Sequence, residues 1–454
     1  MEGLLEHKTL SELTNRFGSP LNVQSTAPFR ENVRKLSQVA SDREIEFKVY
    51  FARKANKCLS FVDAAREIGC GVDTASPVEL NQVLEAGLPA EDIISTAAVK
   101  EGPLFEQCIE SGVVCVIDNW DELDQFAKVS QAHSKQGNFA IRLAGFEGPK
   151  GTLHSRFGFA SDKAKLVARK GEELGLCLKG LHFHLDGYRQ EDRVIALKQT
   201  LKLSDDLKSE GFQIDFIDMG GGLPMSYLDS KEQWNDFWQT FKAEVVKGRS
   251  KMTRDDFSFG LSVIDGEVYG TPRVYPAYQE LVQEEWFAGV LDAQFSDEFT
   301  IAEELKRQEI QLRCEPGRSV MDGCGFTVAK VVSRKEDTRG DHLVALGLNR
   351  TQCRTSHLEF MIDPLLVTKA EGEEAFEAYL TGAYCMESEF IFQRKLKLPR
   401  KPELGDFVVI PNTAGYFMHF MESQSHQFPL AKNIFVDGEP VLDAIDRMKE
   451  SNSV

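Results

Sequence analysis

Phe47-Lys48-Val49-Tyr50-Phe51-Ala52-Arg53-Lys54-Ala55-Asn56 is a β-branched and aromatic run closed by a lysine. Phe47–Ala52 reads as a short buried strand, and Leu59 to Ile68 has helical spacing before Gly69 stops it. Lys54 therefore stands at the C-terminal end of a strand that leads into a helix. The rhythm repeats downstream: Gly71–Ala75, Ile93–Ala98, Val113–Asp118, Phe139–Ala144, Gly180–Leu185 and Phe216–Met219 read as strands. Helices are expected at Pro77–Glu85, Leu104–Glu110, Asp121–His133, Ala164–Glu173 and Arg193–Glu210. Seven such strands before residue 225, with Gln311–Cys314 as the eighth, predict a parallel (β/α)8 TIM-like barrel rather than an open sheet.

Two stretches leave this pattern. Between Tyr227 and Gln311 lie an aromatic helix, Trp234 to Phe241, and a Tyr- and Pro-containing segment, Tyr269 to Tyr278. An insertion over about 228–310 is expected there, either a lid or binding loop at the active-site edge or a peripheral packing subdomain. After Gly325, β-runs at Thr327–Ser333, His342–Leu348 and Asp406–Pro411 predict a separate C-terminal β domain, a barrel or a sandwich.

With 454 residues, 42% of them hydrophobic, the chain is long enough for a large core and two domains. A net charge of -18 excludes a basic face for nucleic acid or an anionic membrane, and points to small-molecule partners. Nine cysteines without a Cys-x-x-Cys pair suggest neither a disulfide framework nor a zinc site, and no metal is expected. With no signal pattern and no apolar run near the roughly 20 residues of a bilayer span, a cytoplasmic location is expected.

Three strand ends carry chemistry. A lysine in an enclosed, partly apolar pocket has a lowered pKa and becomes a nucleophile able to form a Schiff base; a snorkelling lysine is the plain alternative for Lys54. Asp218-Met219-Gly220-Gly221-Gly222-Leu223-Pro224 places three glycines where backbone N–H groups can meet a phosphate, or makes a flexible turn. In Cys314-Glu315-Pro316-Gly317-Arg318, Glu315 can hold a protonated pyridine nitrogen and Arg318 a phosphate, or the two form a structural salt bridge. An imine-forming lysine, a phosphate cradle and a carboxylate for a pyridinium are together what pyridoxal phosphate requires.

The ordered set Tyr50–Asn56, Gly71-Val72-Asp73 with Ser76 and Glu79, Ser155-Arg156-Phe157-Gly158, His182-Phe183-His184, Gly220–Gly222, Glu315–Arg318, Cys385 and Gly415-Tyr416 resembles the fold-type III pyridoxal-phosphate decarboxylases. That family includes diaminopimelate, ornithine and arginine decarboxylases and is related in fold to alanine racemase. Within it the chain is most similar to less characterised members with His-Leu-Asp-Gly-Tyr and a long insertion. The resemblance implies residues 1–27 packing with the C-terminal domain, a cofactor barrel over 28–318 and a β domain over 319–454. It implies decarboxylation of an amino acid through a Schiff base and a quinonoid intermediate. Lys54 would hold the cofactor, His184 would lie against its ring, and Glu315 would keep its nitrogen protonated. Gly220, Gly221, Gly222, Gly317, Arg318 and Tyr416 would form the phosphate site. Cys385 would return the proton across a subunit interface, so a homodimer with shared active sites is implied.

The chain departs from the family at His184-Leu185-Asp186-Gly187, where His-x-Gly-Ser is usual. Glu387 and Glu389 are candidates for a distal ammonium and Arg354 for a distal carboxylate. Diamino acids, diaminopimelate-like acids and larger conjugates all stay open as substrates. The alternatives are a racemase or epimerase on the same lysine, and a cofactor-binding homologue without turnover.

Overall fold

The computed structural model describes residues 2–248, 251–355, 359–372 and 374–451. Eight parallel strands close on themselves: Phe47–Ala52, Gly71–Thr74, Ile93–Ser95, Val114–Ile117, Asn138–Ala144, Cys177–Phe183, Phe216–Asp218 and Gln311–Cys314. The register carries the closure, with Cys314 beside Val49 at one seam and Leu181 beside Ile141 at another. This is the (β/α)8 barrel expected from the strand rhythm. The sixth strand differs instructively from its expected Gly180–Leu185. It begins at Cys177, carries a bulge between Leu178 and Gly180, and stops at Phe183, which releases His184 and Leu185 into the loop above the barrel.

The interior of the barrel is filled by Tyr50, Ile94, Val116, Ala140 and Phe216, so it is a packed core and not a channel. Arg313 lies between the rings of Tyr50 and Phe216, 4.9 and 3.7 Å from their centroids. The helices ring the outside, and their starts are locally encoded. Ser76 accepts the N–H of Glu79 ahead of Pro77–Glu85, and Asn119 accepts that of Glu122 ahead of Trp120–Ala132.

Inside the 228–310 stretch, helices Gln283–Leu291 and Ile301–Gln308 pack on the barrel helices Ala27–Ser41 and Gln190–Ser209. The part that leaves the barrel thus ends near Val282. It consists of helix Lys231–Val246 and hairpin Ser262–Ile264/Glu267–Tyr269 around a core including Trp238, Phe241 and Phe259. Arg254 ties it to the C-terminal sheet through Asp337 at 2.8 Å and Asp341 at 3.4 Å. Features of both sequence alternatives are present: a small core of its own, and a base that reaches the active-site edge.

The C-terminal sheet is built on the long strand Gly325–Glu336, which pairs with His342–Leu346, Phe407–Ile410 and the N-terminal strand Leu21–Gln24. Leu21–Gln24 also runs parallel to Lys432–Phe435, so this strand of the N-terminal segment belongs to the C-terminal sheet. Among the described residues no helix is long and apolar enough to cross a membrane.

Candidate active site

The turn that presents Lys54 is held from several sides. Arg53 is buried and donates to the Glu79 and Lys57 carbonyls and to Gln82. Asn56 donates to Gln24 at 2.6 Å and to the Ala414 carbonyl at 3.0 Å, and the Tyr416 N–H donates to the Ala55 carbonyl at 2.8 Å. Lys54 Nζ lies 3.0 Å from Asp73 Oδ2, and Thr96 donates to the other oxygen of that buried carboxylate at 2.5 Å. Burial alone would lower the lysine pKa, but the charges of Asp73 and Glu315 outweigh it and raise the value. The expected depressed lysine is therefore corrected: its amine is held protonated by a carboxylate on the neighbouring strand.

The glycine loop faces His184. Gly220 and Gly222 have φ of +65° and +82°, and a Cβ on Gly220 would lie 2.5 Å from the Phe183 carbonyl. A Cβ on Gly222 would collide with Arg193. The Gly221 N–H donates to His184 Nδ1 at 3.1 Å, which leaves the imidazole proton on Nε2. Burial and then the Lys54 charge push the His184 pKa well down, so the ring is neutral. Beneath the loop, fully buried Arg193 donates to the carbonyls of Leu185 at 2.7 Å and Gly187 at 2.8 Å.

Glu315 directly follows the eighth strand, with its N–H on the Gly220 carbonyl at 2.9 Å. Its Oε1 is 3.2 Å from His182 Nε2 but is not aligned for a hydrogen bond, and it is one of several buried oxygens without a partner. His182, Asp218 and Glu315 bring one ligand atom each within 4.8 Å of one another. Burial, and then the neighbouring Glu315 charge, push the Asp218 pKa well up. Burial also raises Glu315, an effect that the charges of Lys54 and Arg142 oppose. A cavity of about 200 Å³ is lined by His184, Gly221, Gly222, Glu315, Arg318 and Tyr416. Gly317 borders it too, and leaves the space that the Tyr416 hydroxyl fills.

Residues 29–255 match the family described as "Pyridoxal-dependent decarboxylase, pyridoxal binding domain". The chain belongs to that family. It is 31% identical to an uncharacterized protein of Sinorhizobium fredii, y4yA, over 94% of this chain and 90% of the other. It is 24% identical to diaminopimelate decarboxylase of Halalkalibacterium halodurans over 95% and 90%. The fold is that of diaminopimelate decarboxylase from M. jannaschii, solved with L-lysine (TM-score 0.73, 19% identity, 95% and 90% covered). It is also that of lysine/ornithine decarboxylase from Vibrio vulnificus, solved with putrescine (0.70, 18%, 95% and 98%).

The cofactor of these decarboxylases fits the residues present. Glu315 offers a buried oxygen with no hydrogen-bond partner, and the glycine loop offers a cradle that side chains would fill. Not all sequence candidates meet there. Cys385 is exposed, with Sγ 3.6 Å from His426 Nε2, and does not line this cavity. Arg354 and Glu387 line a neighbouring cavity of about 510 Å³ that touches the first at Thr355. Glu389 is buried and engaged by Arg350, whose backbone N–H it accepts at 2.8 Å. Roles for Asp73, Asp218, His182 and Arg193 were not apparent in the sequence. Asp73 and Asp218 stand at strand ends beside the chemical motifs, which was the available signal, whereas Arg193 reads as an ordinary helix residue.

Proposed function

We propose that this decarboxylase acts on an amino acid with a polar or charged side chain, with the cofactor on Lys54 and the proton returned by Cys385 of a second copy. The observation that carries this is the convergence of Lys54, the unpartnered Glu315 oxygen, the glycine loop and Arg318 around a single site. Bound pyridoxal phosphate supplies a ring that accepts the electron pair left when carbon dioxide departs. Glu315 is suited to hold a proton at the ring nitrogen because its Oε1 is buried without a hydrogen-bond partner and the charges of Lys54 and Arg142 favour its ionised form. His184, neutral and fixed by the Gly221 N–H, gives a flat, uncharged face for the ring to lie on. Lys54 must lose a proton before it can bind an aldehyde, a loss that the Asp73 carboxylate at 3.0 Å opposes. Gly222 and Arg318 on the cavity wall would hold the phosphate, with Gly317 leaving room for Tyr416 beside it.

The neighbouring cavity supports a substrate with a charged distal end. Arg254, Arg350 and Arg354 line it together with Asp255 and Glu387, so either sign of charge finds a partner. Glu389, already committed to Arg350, acts there by orienting it. Relatives named for diaminopimelate and neighbours bound to L-lysine or putrescine support the diamino class. Cys385 is exposed and outside the lining of the cavity between His184 and Arg318, which is compatible with action on the site of a partner copy in a homodimer.

Carbon dioxide release by the cofactor-loaded protein is measured on L- and D-diamino acids, diaminopimelate and larger carboxylated conjugates. Release with an amine product, absent in Lys54→Ala, is the expected result. A chirally inverted amino acid without carbon dioxide would instead establish a racemase.

A further inference from the structure

Around Arg318, beside Tyr188 of the loop after the sixth barrel strand, stand tyrosines that the barrel itself does not supply. Its Nη1 donates to the Tyr227 hydroxyl at 2.9 Å and to the Gly415 carbonyl at 3.4 Å. Its guanidinium carbon lies 4.2 Å from the centre of the Tyr275 ring and 5.1 Å from that of Tyr416. Tyr227 and Tyr275 bracket the inserted helix and hairpin, and the two ends are zipped together where the Tyr227 and Leu228 N–H groups donate to the Ala277 carbonyl. Each ring is fixed in turn. Tyr275 donates to the Met225 carbonyl at 3.2 Å and accepts from Gln279 at 2.9 Å. Tyr227 packs edge-on against Tyr275, Phe360 and Phe417.

A guanidinium on a long side chain binds phosphate with a defined geometry only if it is aimed, and stacking on aromatic faces does this while keeping donors available. The cavity lining also holds Asp186, an acid that gives phosphate no help. We infer that Tyr227 and Tyr275 are positioning residues for the cofactor phosphate, acting through Arg318. The insertion would then be part of the cofactor site and not only a cover or an ornament, an inference that rests on the pyridoxal phosphate site proposed above.

Dissociation constants are measured on the full-length protein, by the visible absorption of the bound ligand, for pyridoxal phosphate and for pyridoxal, which lacks the phosphate. Tyr227→Phe removes the hydroxyl and keeps the ring, while Tyr275→Leu removes the stacked face. Each is expected to weaken pyridoxal phosphate about tenfold, the scale of one hydrogen bond or stacking contact to a charged group, and to leave pyridoxal unchanged. A pyridoxal phosphate affinity in Tyr227→Phe equal to wild type, or parallel losses for both ligands, would overturn the inference. Wild-type protein that takes up neither ligand would refute the underlying site, and this is seen before any variant is made.

Discussion

Asp73→Asn isolates the pair at the centre of the site. Asparagine keeps the shape and can still accept from Thr96, but removes the charge 3.0 Å from Lys54 Nζ. At that separation and an effective dielectric of about 20, a unit-charge pair is worth about 5 kcal/mol. The lysine side chain is 33% exposed, so screening takes about half, leaving about 2–3 kcal/mol or roughly two pH units. Burial opposes the charged amine, whereas Asp73 and Glu315 favour it, so loss of Asp73 lowers the pKa. Only the neutral amine attacks an aldehyde. The rate at which apoprotein takes up pyridoxal phosphate, followed by stopped-flow absorbance between pH 6 and pH 10, should rise with pH in both proteins, with the Asp73→Asn profile displaced about two pH units lower, so that its rate at a given pH is up to about a hundredfold higher. A profile that stays in place or moves to higher pH would refute the assignment of Asp73 as the group that holds Lys54 protonated.

Arg193→Met should cost about 2 kcal/mol in urea unfolding, because it strips the donor from the buried Leu185 carbonyl and the partly buried Gly187 carbonyl. Cys385→Ala, at an exposed position, should leave stability within about 0.5 kcal/mol and cofactor binding intact, and lower amine formation about a hundredfold. If sites are shared between copies, mixing inactive Lys54→Ala with Cys385→Ala protein should restore part of the activity, and no recovery after subunit exchange would count against the shared site. Burial raises Glu359 from 4.5 to about 7 despite Arg394 nearby. Because the ionised form is disfavoured in the fold, stability relative to Glu359→Gln should fall as pH rises from 4.5 to about 7, by about 3 kcal/mol, and then level off. Unfolding midpoints of both proteins at pH 5, 6, 7 and 8 check this.

Much of the barrel was legible because its strands are short apolar runs closed by glycine or by a chemically distinctive residue. Phe47–Ala52 and Gln311–Cys314 have the expected ends. Helices Gln283–Leu291 and Ile301–Gln308 escaped notice because each is short and a polar loop separates them from each other and from the strand that follows. The site was legible residue by residue but not in its couplings. Asp73 is 19 positions from Lys54 and reaches it only because its strand lies in register beside Phe47–Ala52, which no local pattern reveals. The direction of the lysine pKa was misjudged for that reason. Arg193 turns inward from a helix of ordinary composition, and the tyrosines on Arg318 come from segments whose own hydrophobic pattern only announces packing.

The most direct measurement is peptide mapping by mass spectrometry after borohydride reduction of the protein loaded with pyridoxal phosphate and shown to release carbon dioxide from its best substrate. The account predicts a single pyridoxyl group on Lys54 and loss of both label and turnover in Lys54→Ala. A label on another lysine, or turnover that survives Lys54→Ala, would contradict it.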